Sequence, residues 1–76
     1  MADPFDSLTD KALLGYLKGE ANERQERLVI EERKGEWFAE TRTESGLGGE
    51  AVILGANGPT RRHAMLRLAP LLEEAG

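Results

Sequence analysis

The sequence has no cysteine and only one histidine, His63, among its 76 residues. The absence of cysteine excludes a disulfide framework and thiolate metal sites. A single histidine leaves too few ligands for a zinc site, and no Asp/Asn series has the spacing of a calcium loop. We therefore expect neither a metal nor a cofactor.

Serine is almost as scarce, with only Ser7 and Ser45. Nucleophilic and acid–base catalysis usually needs a nucleophile held against a base that a third group orients. Ser7 is better explained as a helix cap, Ser45 as a loop residue, and His63 as an exposed residue in the first turn of a helix. The sequence therefore predicts a protein that is not an enzyme.

Long hydrophobic runs are also missing. The longest are "AVIL" and "LAPLL", far short of the roughly 20 residues that span a bilayer, and no basic, apolar leader opens the chain. We expect a soluble, cytoplasmic protein without membrane contact, folded as one small domain over residues 1–76. A chain this short buries only about 60% of its unfolded surface, so a partner or a second copy would help to stabilise it.

The chain has fewer basic than acidic residues, ten against fourteen, and its net charge is −4. This is the wrong sign for a general nucleic-acid binder, whose affinity depends on cations that displace phosphate counterions. Residues 20–50 contain nine acidic and five basic residues, whereas residues 60–67 contain three arginines and no acid. One end of an acidic domain is therefore locally basic.

A short amphipathic helix is predicted near the start of the chain. Ser7, followed three residues later by Asp10, is typical of a capping box, and Gly19 can end the helix. The apolar side of this helix would carry Leu13, Leu14, Tyr16 and Leu17. The polar segment that follows, "EANERQER", fits either a helical extension or a linker.

Residues 27–43 favour a β-hairpin, because a β-branched apolar segment, a loop with glycine and an aromatic segment follow one another. We predict a three-residue loop from Arg33 to Gly35, with positive φ at Gly35 and with Glu32 paired to Glu36. In that register one face carries Leu28, Ile30 and Phe38, and the other carries Val29, Trp37 and Ala39. Since both faces are apolar, we expect helices on one side and another cover, such as a partner, on the other.

A third strand and a second helix complete the predicted fold. The apolar run in "EAVILG" is typical of a strand that is buried on both faces, and a flexible connection over residues 45–49 precedes it. Thr60 is a suitable N-cap for the helix, and Pro70 predicts a kink or a break. The buried stripe of this helix would be Met65, Leu68, Ala69 and Leu72. The sequence thus predicts an α+β fold, with a three-stranded antiparallel sheet, α-β-β-β-α order and helices packed on one face.

Two aromatic residues are candidates for binding a partner. Trp37 and Phe38 are adjacent in a strand, so their side chains point to opposite faces. One should pack in the core and the other should be at least partly exposed, and the sequence leaves open which is which. Single exposed aromatics are common, but they are also favoured anchors of protein interfaces.

Two arginines are the other candidates. Arg61 and Arg62 begin a helix, where the free N–H groups form a partial positive pole, so each costs about 0.3–1 kcal/mol if exposed. Either both side chains reach back to strand glutamates, in pairs worth about 0–1 kcal/mol each, or an anion from a nucleic acid or an acidic partner docks there.

The start of the second helix resembles the double-stranded RNA-binding domain, whose second helix opens with a Gly-x-Ser-Lys-Lys-x-Ala-Lys-like run. The matching residues are Gly58, Thr60, Arg61, Arg62 and Ala64. Met65 stands where that family has a third basic residue, and the Gly-Pro-x-His loop is missing. The resemblance implies the same α-β-β-β-α fold and, with two of three cations, weak RNA binding.

The middle of the chain resembles HicB-like antitoxin domains. "LVIEERKGEWFAE" (residues 28–40) is similar to their first hairpin, and Thr60 and Ala64 match their Thr-x-x-x-Ala helix start. "TRTESGLGG" replaces their Pro-x-x-Pro-Gly connection, and the first turn of the helix is basic instead of acidic. The resemblance implies that the chain neutralises a toxin ribonuclease or a similar enzyme.

We therefore expect a small, non-catalytic protein-binding module that uses Trp37 or Phe38, together with Arg61 and Arg62, to dock a macromolecular partner, in the first place a protein. Two alternatives stay open. One is a nucleic-acid-binding domain of the double-stranded RNA-binding type. The other is a structural domain that associates with a second copy through its exposed sheet face.

Overall fold

Two helices and three strands make up the computed structural model, which describes residues 4–44, 46 and 48–75. The elements are a turn of 3-10 helix (Pro4–Ser7), α1 (Asp10–Glu23), β1 (Arg27–Arg33), β2 (Glu36–Glu44), β3 (Glu50–Gly58) and α2 (Arg61–Ala75). The strands form one antiparallel sheet in the order β1-β2-β3. The predicted α+β fold and its element order are therefore confirmed. Ser45 and Leu47, in the predicted connection, lie outside the described residues.

Helix α1 begins later than predicted. Thr9 is extended, and its hydroxyl oxygen accepts a hydrogen bond from the Ala12 N–H at 3.1 Å, so Thr9 is the N-cap. Ser7 instead donates to the Pro4 carbonyl at 3.2 Å inside the 3-10 turn. The predicted Ser7–Asp10 capping box is therefore wrong, because Ser7 belongs to a separate turn.

The same helix also ends later than predicted. Gly19 lies inside α1, which continues to Glu23 and takes in the first part of the polar segment. Ala21, beyond the glycine, is fully buried. Tertiary packing of that residue outweighs the roughly 0.5–1 kcal/mol that a glycine costs in a helix interior.

The turn of the β1–β2 hairpin is one residue shorter than predicted. Arg33 pairs with Glu36, so the turn contains only Lys34 and Gly35, with φ angles of 52° and 80°. Positive φ at both central residues is typical of a type I′ turn, whose twist matches that of the flanking strands. The positive φ predicted for Gly35 is confirmed, whereas the pairing of Glu32 with Glu36 is wrong.

This slip of one residue exchanges the two faces of β2, because side chains alternate along a strand. Ala39 faces Ile30 and Thr41 faces Leu28 across the sheet. Trp37 therefore shares the helix-covered face with Ile30, and Phe38 lies on the opposite face, so the predicted division of the two faces is wrong.

The core lies between the two helices and one face of the sheet. Its buried residues include Phe5, Leu13, Leu17, Ala39, Ala64, Met65, Leu68, Ala69 and Leu72. The buried stripe predicted for α2 is therefore confirmed. The helices run in the same direction, since Arg62 of α2 contacts Asp10 at the start of α1, and Arg24 at the end of α1 contacts the Leu72 carbonyl of α2.

Thr60 caps α2 as predicted, because its hydroxyl oxygen accepts from the His63 N–H at 3.1 Å. The helix does not break at Pro70 but continues to Ala75. Ala69 and Leu72, on either side of the proline, are fully buried, and this packing outweighs the backbone hydrogen bond that proline removes. None of the described helices is long and apolar enough to cross a membrane.

Candidate functional site

Both helices cover the same face of the sheet, and the other, which we call the outer face, is the candidate site. Facing residues in adjacent strands project to the same side, so the register defines three rows of the outer face: Glu31–Phe38–Asn57, Val29–Glu40–Gly55 and Arg27–Arg42–Val52. Each row crosses all three strands. In the described residues no helix or strand lies over these rows.

Ion pairs connect the centre of the outer face. Arg42 lies between two carboxylates, with its Nη2 2.6 Å from Glu40 and 3.2 Å from Glu31. Arg33 contacts Glu31 and lies 3.4 Å from Glu40. Only 12% of the Glu40 side chain and 21% of the Arg42 side chain are exposed. The four charges therefore form a balanced and partly desolvated network, which holds its side chains more firmly than isolated surface pairs would.

A second ion pair lies at the end of the outer face where β3 begins. Arg27 donates from both Nε and Nη2 to the two carboxylate oxygens of Glu50, the Nε bond being 2.8 Å long. The hydrogen bond from Arg27 lowers the pKa of the Glu50 carboxyl and raises the pKa of the guanidinium. Arg42 Nη1 is 4.0 Å from the same carboxylate, so the two sets of charges adjoin.

Phe38 is the aromatic residue of the outer face. Its ring is half-buried, and the Arg33 guanidinium lies 4.8 Å from the ring centroid, within the range of a cation–π contact. Trp37 packs against the core on the helix-covered face and is also half-buried. Of the two predicted aromatics, Phe38 is thus the one on the uncovered side of the sheet.

Arg62 is held by the segment that precedes α1. Its guanidinium donates to Asp10 Oδ1 at 2.6 Å, to the Asp6 carbonyl at 2.9 Å and to the Leu8 carbonyl at 2.7 Å. Pairing within the chain was one of the two explanations for this arginine, but the predicted strand glutamates are not its partners. The three contacts offset the unfavourable helix pole and join the beginnings of the two helices.

We expect Arg62→Ala to lower the free energy of unfolding by about 1–2 kcal/mol, because hydrogen bonds to a charged group are stronger than neutral ones and two carbonyls lose their donor. Arg61→Ala is the matched control and should change stability by less than about 0.5 kcal/mol. Urea unfolding of both variants measures the difference. An equal decrease in the free energy of unfolding for both variants would mean that the contacts of Arg62 add no stability beyond that of an arginine without them.

Arg61 differs from its neighbour, since its side chain has no hydrogen bond or ion pair with any residue that the structure describes. The other arginine of this segment, Arg67, donates to the Asn57 carbonyl at 2.7 Å. His63 is exposed, as predicted, and its Nδ1 is 2.6 Å from Thr60 Oγ1. Within the described chain, Arg61 is therefore the arginine of α2 whose guanidinium is available.

The four predicted partner-binding residues lie at one end of the molecule but do not form one surface. Trp37 and Phe38 are paired with Gly58 and Asn57, a few residues before Arg61. Trp37 is on the helix-covered face, Phe38 is on the outer face, and Arg62 is engaged within the chain. Phe38 and Arg61 remain the residues best placed to meet a partner.

Sequence reasoning missed the exposed residues of β3. The apolar run was predicted to be buried on both faces, but Val52 and Ile53 are 52% and 46% exposed, so this prediction is wrong. Val52 is exposed because it lies on the outer face, and Ile53 is exposed because a register shift opposite Thr41 and Arg42 leaves it as an extra residue in the edge strand β3. The signal was the strand count, because the third strand of a three-stranded meander has no second neighbour.

Within the described residues, no group of three or more histidine or acidic side chains is placed to hold a metal ion. Gly58 and Thr60 lie at the junction of β3 and α2, and Thr60 is the N-cap of α2. Comparison of the chain with protein-family models, with curated proteins and with solved structures found no match.

Proposed function

We propose that this chain is a small, non-catalytic protein-binding module that docks its partner on the outer face of the sheet around Phe38. The observation that carries the proposal is the one-sided cover, because both helices pack on one face and leave the other to Phe38 and a network of ion pairs. Interface anchors are typically aromatic side chains of this kind, half-buried and surrounded by polar side chains that are held in place. The network also reduces the conformational entropy that docking would cost.

The charges of this face favour a protein partner over a nucleic acid. Arg33 and Arg42 are already neutralised by Glu31 and Glu40, so a phosphate would have to compete with carboxylates. Nucleic-acid affinity depends on cations that are available to phosphates. A protein surface can instead match both signs of charge in the network.

The HicB-like resemblance gives this proposal its most specific form, in which the partner is a toxin ribonuclease or a similar enzyme that the module neutralises by occlusion. The net charge of −4 suits such a partner. Enzymes that act on nucleic acids present basic surfaces, and opposite charge speeds association with them.

The proposal is tested by isolating the partner from native cells with the tagged chain and then measuring its affinity for two variants. Phe38→Ala should weaken binding by at least about tenfold, as expected for an interface anchor. Leu71→Ala removes an exposed apolar side chain from α2, away from the outer face, and should leave the affinity unchanged. Circular dichroism confirms that both variants fold.

Equal affinities of the two variants would place the binding surface elsewhere. A shift of duplex RNA at ~50 mM salt that Arg61→Glu abolishes would favour the RNA-binding alternative instead. These two results are independent, so each can be read without the other.

A further inference from the structure

The side of β3 that does not face β2, which we call the free edge, offers backbone groups for pairing. The two-residue turn makes Arg33 and Glu36 a hydrogen-bonded pair, and the backbone groups of β2 then point alternately to β1 and to β3. In the register of β2 with β3, this alternation directs the N–H and C=O groups of Gly55 and Asn57 away from β2, to the free edge. No strand among the described residues pairs with them. The Asn57 carbonyl accepts from Arg67, and this contact covers one end of the edge.

The free edge has few of the features that keep natural edge strands from pairing. Residues 51–58 contain no charged residue and no proline, although edges are usually protected by these. Val52 and Ile53 are two of the three large apolar residues that are clearly exposed in the described chain. Apart from the contact of Arg67 with the Asn57 carbonyl, the register shift at Ile53 is the only such protection that the described strand has. Pairing would therefore cover apolar surface as well as backbone groups.

Residues of opposite charge lie near the two ends of β3. At the start of β3, Glu50 lies directly opposite Glu44, and like charges in this position are destabilising. Arg27 neutralises Glu50, but Glu44 has no ion pair with any described residue. Beyond the other end of β3, Arg61 also lacks an ion pair. Near each end of β3 there is thus a charge that has no ion-pair partner among the described residues.

We propose that β3 pairs in antiparallel orientation with β3 of a second copy of this chain, so that two three-stranded sheets become one sheet of six strands. A two-fold axis places the start of one β3 beside the end of the other. The unpaired Glu44 of each copy then approaches Arg61 of the other, twice per dimer. A parallel arrangement would bring like charges together.

This dimer goes beyond the proposed function and does not depend on it. The two-fold axis is perpendicular to the sheet, so the outer faces of both copies lie on the same side and form one larger surface. Pairing of a few residues per strand buries less than ~1,200 Å², which belongs to the weak class of interfaces. The association is therefore expected to depend on concentration in the micromolar range.

Sedimentation equilibrium of the full chain from ~5 to ~500 μM tests the proposal. The mass should rise from 8.4 kDa towards twice that value. Ile53→Lys should keep the mass at 8.4 kDa throughout, because a charge on an edge strand opposes pairing. Leu71→Lys is the matched control and should associate like the unmodified chain. A monomer at every concentration, or the same mass curve for both variants, would overturn the proposal.

Charge reversal tests the antiparallel orientation. Arg61→Glu should weaken association by roughly tenfold at low salt, since it places like charges at both ends of the interface. Adding Glu44→Arg to the same chain should restore association, because opposite charges meet again. A double variant that stays as weak as Arg61→Glu would contradict this arrangement.

Amide hydrogen exchange distinguishes association through the free edge from association through the outer face. It uses the unmodified chain, so the result does not depend on whether a variant folds. Exchange of the Gly55 and Asn57 N–H groups should be slower at high concentration than at low concentration. Exchange of the Ala56 N–H, which points to β2, should not change. Association without slower exchange at Gly55 would overturn the proposal. Phe38→Ala should leave the dimer intact, so a failure of the proposed partner surface and a failure of the dimer are distinguishable.

Discussion

Replacing Leu68 by alanine is expected to lower the free energy of unfolding by about 3–4 kcal/mol. Leu68 is fully buried in the core, and truncation loses both its transfer free energy and its packing contacts. A chain of this length has a total stability of about 4–11 kcal/mol. The variant should therefore be largely unfolded at 37 °C if the wild type lies at the lower end of this range.

Leu71 provides the control in the same helix, with the same side chain. It is 36% exposed, so Leu71→Ala should cost less than about 1 kcal/mol. Urea unfolding followed by the fluorescence of Trp37 measures both variants against the wild type. Similar losses at the two positions would contradict the placement of α2, because they would mean that its two sides are equally buried.

Replacing Gly58 by alanine is expected to cost about 2–3 kcal/mol, in the upper part of the range for overpacked sites. An added Cβ would lie 2.7 Å from the Cβ of His63 and 3.1 Å from the backbone nitrogen of Ala64. The backbone of the first turn of α2 cannot yield to it without disturbing the Thr60 cap and the contacts of Arg62. Steric fit explains this glycine, because its φ is not positive.

Gly19 is the matched control for this substitution. An added Cβ at Gly19 meets no atom within 4 Å, and the residue lies inside α1. Gly19→Ala should therefore raise stability by about 0.5–1 kcal/mol, because alanine is the better helix former. Thermal unfolding of the two variants should give shifts of opposite sign. An unchanged or raised midpoint for Gly58→Ala would contradict the close approach of β3 and α2.

The element order could be predicted because each element carries a local signal. The spacing of Met65, Leu68, Ala69 and Leu72 predicted α2, and the glycine of the 33–35 segment predicted a turn. The hairpin register could not be predicted in the same way. A three-residue and a two-residue loop both use Gly35, and the choice depends on Lys34 adopting a positive φ, which its residue type does not indicate. That single choice decides which of Trp37 and Phe38 is on the outer face.

The candidate site was harder to predict than the fold, because its contacts join residues far apart in the chain. Arg62 finds its partners at Asp6, Leu8 and Asp10, more than 50 residues earlier in the sequence. The exposure of Val52 follows from the lack of cover on the outer face, and that of Ile53 from the register shift in an edge strand, and neither follows from residue type. Residue types thus indicated candidates for partner binding, whereas the packing of the chain determines which of these residues are available to a partner.

Arginines connect the two helices at both ends, and this has a consequence for how the molecule opens. Arg62 joins the start of α2 to the segment before α1, and Arg24 donates to the Leu72 carbonyl at the other end. Peeling α1 from the sheet must break both contacts and uncover Leu13 and Leu17. Residues 4–24 should therefore melt together with the strands in a single transition, and a protease should find no early cleavage site in α1.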